Sequence, residues 1–377
     1  MVRFLGFSAK GLALLILTTI AMPGIAAAHD IGAHIDNCAC DERCYTDEVS
    51  DLECTGDHAH FKSNGLPDES HALMKGIRGS NQQFPAPHHH ETSIPLSPEL
   101  ARHPTPTAEG AIGIAVNGVP IFSPDTQGPV QPDTGRPVSA LAAGELDECG
   151  GHAGRGDDYH YHTAPRCLIE ELGPQRIEES RQPIGFAMDG FPILALGWFD
   201  PANDIENLLD DCRGINDAAQ HYFYNVQHEA DWNVLDCFSG TVQRGFDHDT
   251  WEARTDIEGG EIVGSPVRFL VESYELRTSG SDACHVMIGT MSDLQVLRTD
   301  QSVERIDNKK GTLFYCNSGC YGQFFEADGI RGVRGRTMYF ERPVSSCPPV
   351  LGLAGLPMFE PYEGPAQTRK GPPPTHK

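Results

Sequence analysis

The residues in this chain whose types and spacing could do chemistry are Tyr159-His160-Tyr161-His162. Read as a strand, the four alternate, with His160 and His162 on one face and Tyr159 and Tyr161 on the other. Imidazoles at i and i+2 lie side by side and can share one metal ion. His152, ten residues before His162 across a Gly-rich turn, can fold back as a third ligand. Three imidazoles with an open position are a set that zinc or copper accepts for catalysis, whereas calcium and magnesium call for oxygen. The opposing reading makes His160 and His162 hydrogen-bonded residues that hold the Asp157-Asp158 turn.

A second stretch bears on the choice. Asp147-Glu148-Cys149-Gly150-Gly151 recurs as Asp210-Asp211-Cys212-Arg213-Gly214, 63 residues later. In that register Tyr159 and Tyr161 fall on Tyr222 and Tyr224, while His152, His160 and His162 fall on Ile215, Phe223 and Asn225. Asp147, Cys149, Gly151, Tyr159 and Tyr161 therefore read as scaffold. The three His are lost together, as residues with one joint job would be, and this favours the metal reading. Glu148 and Asp158 are weak candidates for a base, and with Asp147 and Asp157 could instead orient the imidazoles.

The elements that must position these residues are short strands. Gly113–Ile121 matches Gly185–Ile193, each reading as a strand, an Asn-Gly or Asp-Gly turn and a second strand opened by Pro. With Gly 40 and Pro 28 in the chain, the expected architecture is mainly β with short helices: an internally duplicated β domain followed by a smaller β-sandwich-like region. The helices are expected at Ile169–Glu179 and Asp204–Asp211, the latter starting near Asp200-Pro201. Further strands are expected at Val267–Leu276, Cys284–Met291, Thr312–Tyr315 and Thr337–Phe340.

The chain resembles the YHYH-domain family of secreted proteins. The matching pieces are Phe61–Asp68, Asn81-Gln82-Gln83, the two hairpins and the stretch from Asp147 to His162, so that the resemblance covers roughly residues 60 to 245. It implies a secreted or cell-surface protein and supplies no reaction. The second half lacks a second Tyr-His-Tyr-His, which argues against two equivalent sites.

Residues 1–28 read as a secretory signal peptide, with Arg3 and Lys10 ahead of a short apolar core and Ala26-Ala27-Ala28 at the cleavage site. No other stretch is long enough to span a membrane, so the expected location is secreted or periplasmic/extracellular. A formal net charge of −25 argues against nucleic acid and anionic membrane as partners and leaves a metal ion as the expected one. Twelve Cys in an exported chain read as disulfides. Cys149 pairs naturally with Cys167 and Cys212 with Cys237, although other pairings are open.

The remaining organisation is a Cys/His-rich N-terminal arm over 29–60, the duplicated YHYH-like domain over 61–250, a C-terminal β region over 255–347 and a Pro/Gly-rich tail over 348–377. In the arm, Cys38, Cys40, Cys44 and Cys54 read as two disulfides, and His29, if it becomes the N-terminus, could bind copper. His58 and His60 read as exposed. His88-His89-His90 lies among prolines and reads as a loop. His221 has no visible partner and reads as structural. Cys316 and Cys320 lack the His and Met of a copper loop and read as disulfide cysteines, with Cys284 and Cys347 as partners. No nucleophile elbow, P-loop, His-Glu-x-x-His or dinucleotide fingerprint occurs. Three functions remain: a metal-binding protein without turnover, a metal-dependent hydrolase or oxidoreductase, and a surface-interaction module with structural His.

Overall fold

The computed structural model describes residues 38–78, 85, 87–107, 110–126, 130–153, 158–217, 221–226, 233–242, 268–279, 282–292, 294–297, 303–306, 308–316 and 321–325. The chain divides into two units, Met1–Asp30 and Ile31–Lys377, and every element below belongs to the second. The expected signal peptide, His29 and the tail lie outside the described residues.

Strands β1 (Val49–Thr55), β2 (His58–Ser63) and β3 (His90–Pro95) form an antiparallel sheet in that order. The β1–β2 hairpin runs across residue 60, and the arm ahead of it is packed in: Cys38, Ala39, Cys44 and Tyr45 join the main core cluster. Disulfides Cys38–Cys44 and Cys40–Cys54 close this segment. The expected His loop ends at His89, because His90 pairs with Ser63 at the start of β3 and is buried. His60 is exposed and His58 half-buried.

After β4 (Leu100–Pro106) come β5 (Ala111–Ala115), β6 (Pro120–Phe122), β7 (Gly151–Ala153), β8 (Tyr159–Tyr161), β9 (Gly185–Ala187), β10 (Pro192–Leu194), β11 (Gly214–Asn216) and β12 (Tyr222–Asn225). The last eight make one sheet, ordered β11-β12-β10-β9-β5-β6-β8-β7. β8 runs parallel to β6 and antiparallel to β7; β12 runs parallel to β10 and antiparallel to β11. Each Asn-Gly or Asp-Gly turn thus closes a hairpin, and a Tyr-bearing strand lies on the outer side of its Pro-opened arm. β13 (Cys237–Gly240) pairs with β4.

At the centre, β5 and β9 are antiparallel with Gly113 opposite Ala187, Ile114 opposite Phe186 and Ala115 opposite Gly185. The crossing is tight, and this explains its two glycines. A Cβ on Gly113 would stand 2.7 Å from the Phe186 carbonyl oxygen, and one on Gly185 would stand 2.6 Å from that of Ile114. Backbone cannot yield there as a side chain could. β5 is buried along its whole length, as a strand covered on both faces must be. Ile112, Ile114, Ile121, Tyr159, Tyr161, Phe186, Ile193, Tyr222 and Tyr224 belong to one core cluster with Leu168 and Ile169.

Helix α1 (Ala140–Ala143) is a single turn capped by Ser139, whose hydroxyl accepts from the Ala142 N–H. Helix α2 (Arg166–Pro174) is interrupted at Gly173 (φ 74°, ψ 168°) and followed by a π-helical turn, Gln175–Glu179. The expected helix at 169–179 is therefore two pieces, begun earlier and broken where Gly-Pro cannot continue the hydrogen-bond ladder. The expected helix at 204–211 does not form. Two 3₁₀ turns, Pro201–Asn203 and Glu206–Leu208, replace it. The Asp200 and Asp204 carboxylates each bond the N–H two residues on, closing local turns that compete with a helix. Leu208 points to solvent, so no apolar stripe holds an α-helix together here.

The C-terminal strands are β14 (Arg268–Ser279), β15 (Asp282–Ser292), β16 (Leu294–Leu297), β17 (Val303–Ile306), β18 (Lys309–Cys316) and β19 (Tyr321–Phe325). They form an antiparallel sheet β14-β15-β18-β19 and a β16–β17 ribbon. Two backbone hydrogen bonds, Gly76 N–H to the Val271 carbonyl (2.7 Å) and Val271 N–H to that of Ile77 (2.9 Å), tie β14 to the segment that follows Met74. Cys284 and Cys316 are opposite each other in β15 and β18. Cys320, Cys347 and the strand expected at 337–340 lie outside the described residues.

Substituting Gly113→Ala should lower the unfolding free energy by about 1–3 kcal/mol, the usual cost of overpacking. Urea denaturation checks this; an unchanged midpoint would contradict the tight crossing.

Candidate metal centre

The site is built on β7 and β8 and the turn before them. Asp147 is buried, and its carboxylate accepts four hydrogen bonds: from the N–H of Cys149 (2.9 Å), Gly151 (3.1 Å) and Met74 (3.0 Å), and from the Tyr159 hydroxyl (2.8 Å). Burial pushes this carboxyl up to about 7, against the pull of those four donors. Tyr161 is held on the same inner side by the Asn117 amide, at 3.0 Å. Burial raises both phenols above the ordinary tyrosine value, so they remain neutral. The Cys149–Cys167 disulfide anchors the turn to α2.

With the tyrosines turned into the core, alternation places His160 on the other face. His152 lies directly across the ladder from it. His162 follows β8, its N–H bonded to the Gly150 carbonyl. The three Nε2 atoms converge, 3.1 Å between His152 and His160, 3.0 Å between His152 and His162, and 3.1 Å between His160 and His162. All three side chains are buried. Among the described residues this is the only group of three or more His, Cys, Asp or Glu with ligand atoms within 4.8 Å of one another.

The outer nitrogens decide what the inner ones can do. His160 Nδ1 donates to the Asp158 carbonyl (3.0 Å) and lies 3.2 Å from that residue's carboxylate. His162 Nδ1 donates to the Ser123 carbonyl. A carbonyl only accepts, so Nδ1 carries the proton on both rings. On neutral rings the Nε2 of His160 and of His162 are then both lone-pair acceptors, facing each other 3.1 Å apart. Two acceptors at that distance repel unless something electron-poor lies among them.

A tetrahedral zinc with bonds of about 2.0–2.1 Å spans nitrogens roughly 3.3 Å apart, so a small contraction separates this set from that geometry. Burial, and then the neighbouring imidazoles, holds His152 well below the ordinary histidine value and His162 at about 3. Both are therefore neutral near pH 7 and available as ligands without losing a proton. Burial would raise the Asp158 carboxyl, but its contact with the His160 ring outweighs this and keeps it low.

Sequence reasoning missed Phe122 and Ser123. The Phe122 ring stacks on His160 (centroids 3.9 Å, 19° between planes) and meets His162 edge-on (5.9 Å, 73°). Both residues end the first hairpin, which β8 joins only through the parallel pairing of Ile121 with Tyr161; that contact has no local signal. Of the weak candidates for a base, Asp158 touches His160. Glu148 does not reach the cluster: it is exposed and ion-paired with Lys75 at 2.8 Å. His221 has the partner its sequence did not reveal, Asp217, which accepts its N–H at 2.8 Å and lies 3.3 Å from its Nδ1.

The second half repeats the scaffold contacts. Asp210 accepts from Cys212, Gly214 and the Tyr222 hydroxyl, Tyr224 donates to Asp189, and Cys212 is bonded to Cys237. Where the imidazoles would be, Ile215 faces Phe223 across β11 and β12, and Asn225 bonds the backbone of Leu196.

Residues 91–233 match the family model described as YHYH protein, and the chain therefore carries a YHYH-family domain, whose matched region holds the whole cluster. No curated protein and no solved structure matches the chain.

The low His values set a pH dependence. A histidine whose folded value lies below its unfolded value, about 6.5, lends stability that is complete above 6.5 and is lost as pH falls towards the folded value, here about 3 for His162. Each such imidazole contributes a slope of up to about 1.4 kcal/mol per pH unit. Metal-free protein should therefore lose more stability between pH 7.5 and pH 5 than the variant His152→Ile/His160→Phe/His162→Asn, which borrows the second half's residues. Equal losses in urea denaturation would contradict buried neutral imidazoles; Asp147 is common to both proteins and cancels.

Proposed function

We propose that this is an exported metal-binding protein that holds one copper or zinc ion on His152, His160 and His162, without turnover of a substrate. One observation carries the reading: two imidazoles whose Nδ1 protons are already committed to carbonyls aim their lone pairs at each other and at a third ring. A cation removes that repulsion. The opposing reading, in which His160 and His162 only brace the turn, accounts for the Nδ1 bonds and requires His152 to share a single Nε2 proton between both rings.

The domain is proposed to be internally duplicated, with one half keeping the metal. The matched strand order and the repeated Asp–Tyr and Cys–Cys contacts support this. When bound, the ion would act as a Lewis acid on whatever reached it. The chain's own residues favour holding over catalysis. The three ligands are buried, Phe122 covers His160, and Asp158, the one nearby carboxylate named as a base, is engaged with His160.

Export is supported by the four disulfides among the described residues, since such bonds persist in oxidising compartments. No helix among the described residues is long and apolar enough to cross a membrane.

Protein exported on its own leader and purified without a His tag should contain about one equivalent of copper or zinc by mass spectrometry. The triple variant, judged folded by its disulfide content and urea midpoint, should contain less than a tenth of that. Equal metal in both would move the site away from the triad, and no metal in either would contradict the reading.

A further inference from the structure

The second half contains a cleft where the first half holds its imidazoles. Ile215 and Phe223 face each other across β11 and β12 as His152 and His160 do across β7 and β8. Both line an open cleft of about 260 Å³, whose apolar wall is completed by Leu196 and Ile205. Its lining also carries charge, from Arg181, Asp204 and Asp217. Arg181 is half-buried and sits in the left-handed backbone region (φ 51°), a conformation that is strained for a residue with a Cβ. Neighbouring bonds hold it there, because the Gln182 N–H donates to the Arg176 carbonyl at 2.8 Å and the Arg176 guanidinium donates to the Gln182 side chain at 2.7 Å.

The Arg181 guanidinium forms no hydrogen bond or ion pair with the described residues, although two carboxylates line the same cleft. Asp217 is engaged by His221. Asp204 uses Oδ1 to accept the Glu206 N–H at 2.8 Å and stands at the exposed edge. Arg181 and the two carboxylates thus line one cleft with apolar side chains and form no ion pair with one another.

We propose that this cleft binds a free α-amino acid with an aliphatic side chain. Its carboxylate would meet Arg181 in a bidentate pair, its ammonium would meet Asp204, and its side chain would cover Ile215 and Phe223. A simple anion would face two carboxylates and a simple cation would face Arg181, so the zwitterion fits where neither does. This assignment is independent of the metal reading.

The test is calorimetric titration of L-leucine into the full exported chain, kept metal-free with chelator because amino acids also ligate copper and zinc. Saturable one-site binding is expected. Leucinamide, which lacks the carboxylate, and 4-methylpentanoate, which lacks the amine, should each bind at least about tenfold more weakly, the scale of one lost charge-assisted contact. Arg181→Asn, a residue that tolerates the left-handed backbone, should weaken leucine by a similar factor while leaving the urea midpoint near wild type. If that variant does not fold, the two analogues on wild-type protein still decide. No saturable binding of leucine, or equal binding of leucine and either analogue, overturns the proposal.

Discussion

The carboxylate of Asp147 is the constraint on which the site depends. It is buried and gathers donors from three separate pieces of chain: Met74 from the preceding loop, Cys149 and Gly151 from its own turn, and Tyr159 from β8. Those bonds fix how far the turn can open, and therefore which residue of β7 faces which of β8. With a period of two, slipping the register by one residue would send His160 into the core and Tyr159 out of it. Asp210 makes three of these four bonds in the second half, to Cys212, Gly214 and Tyr222, where Ile215 and Phe223 take the places of His152 and His160. The scaffold thus stands apart from the chemistry mounted on it.

The outward hydrogen bonds of the imidazoles then determine the character of the site. Ser123 and Asp158 lie on different elements, yet each presents an acceptor to the far nitrogen of one ring. Fixing the tautomer in this way directs two lone pairs inward, which is costly for an empty apolar pocket and favourable around a cation. Phe122 adds a wall on one side. The arrangement holds tightly and offers little approach, and the proposed role follows from that balance.

Much of this was legible in the sequence. Alternation in Tyr-His-Tyr-His gave the two faces, the Asn-Gly and Asp-Gly turns gave the hairpins, and the shifted copy separated Asp147, Cys149 and Tyr159 from the three His. The illegible parts depend on contacts distant in sequence. Ser123 serves His162 from 39 residues away, and nothing in a serine before a proline announces a carbonyl that will cap an imidazole. The helix expected after Asp200 failed for a local reason, because Asp200 and Asp204 each spend a carboxylate on a tight turn. His90 looked like loop because of its prolines and is strand because β2 pairs with it.

The central claim is that one ion lies among three nitrogens. Anomalous diffraction from crystals of the exported protein, recorded on both sides of the copper and zinc absorption edges, tests it at the site itself. The account predicts one anomalous peak, at one of the two edges, bonded to Nε2 of His152, His160 and His162. A structure with those nitrogens bridged only by protons or water, or with its peak on other side chains, would contradict it.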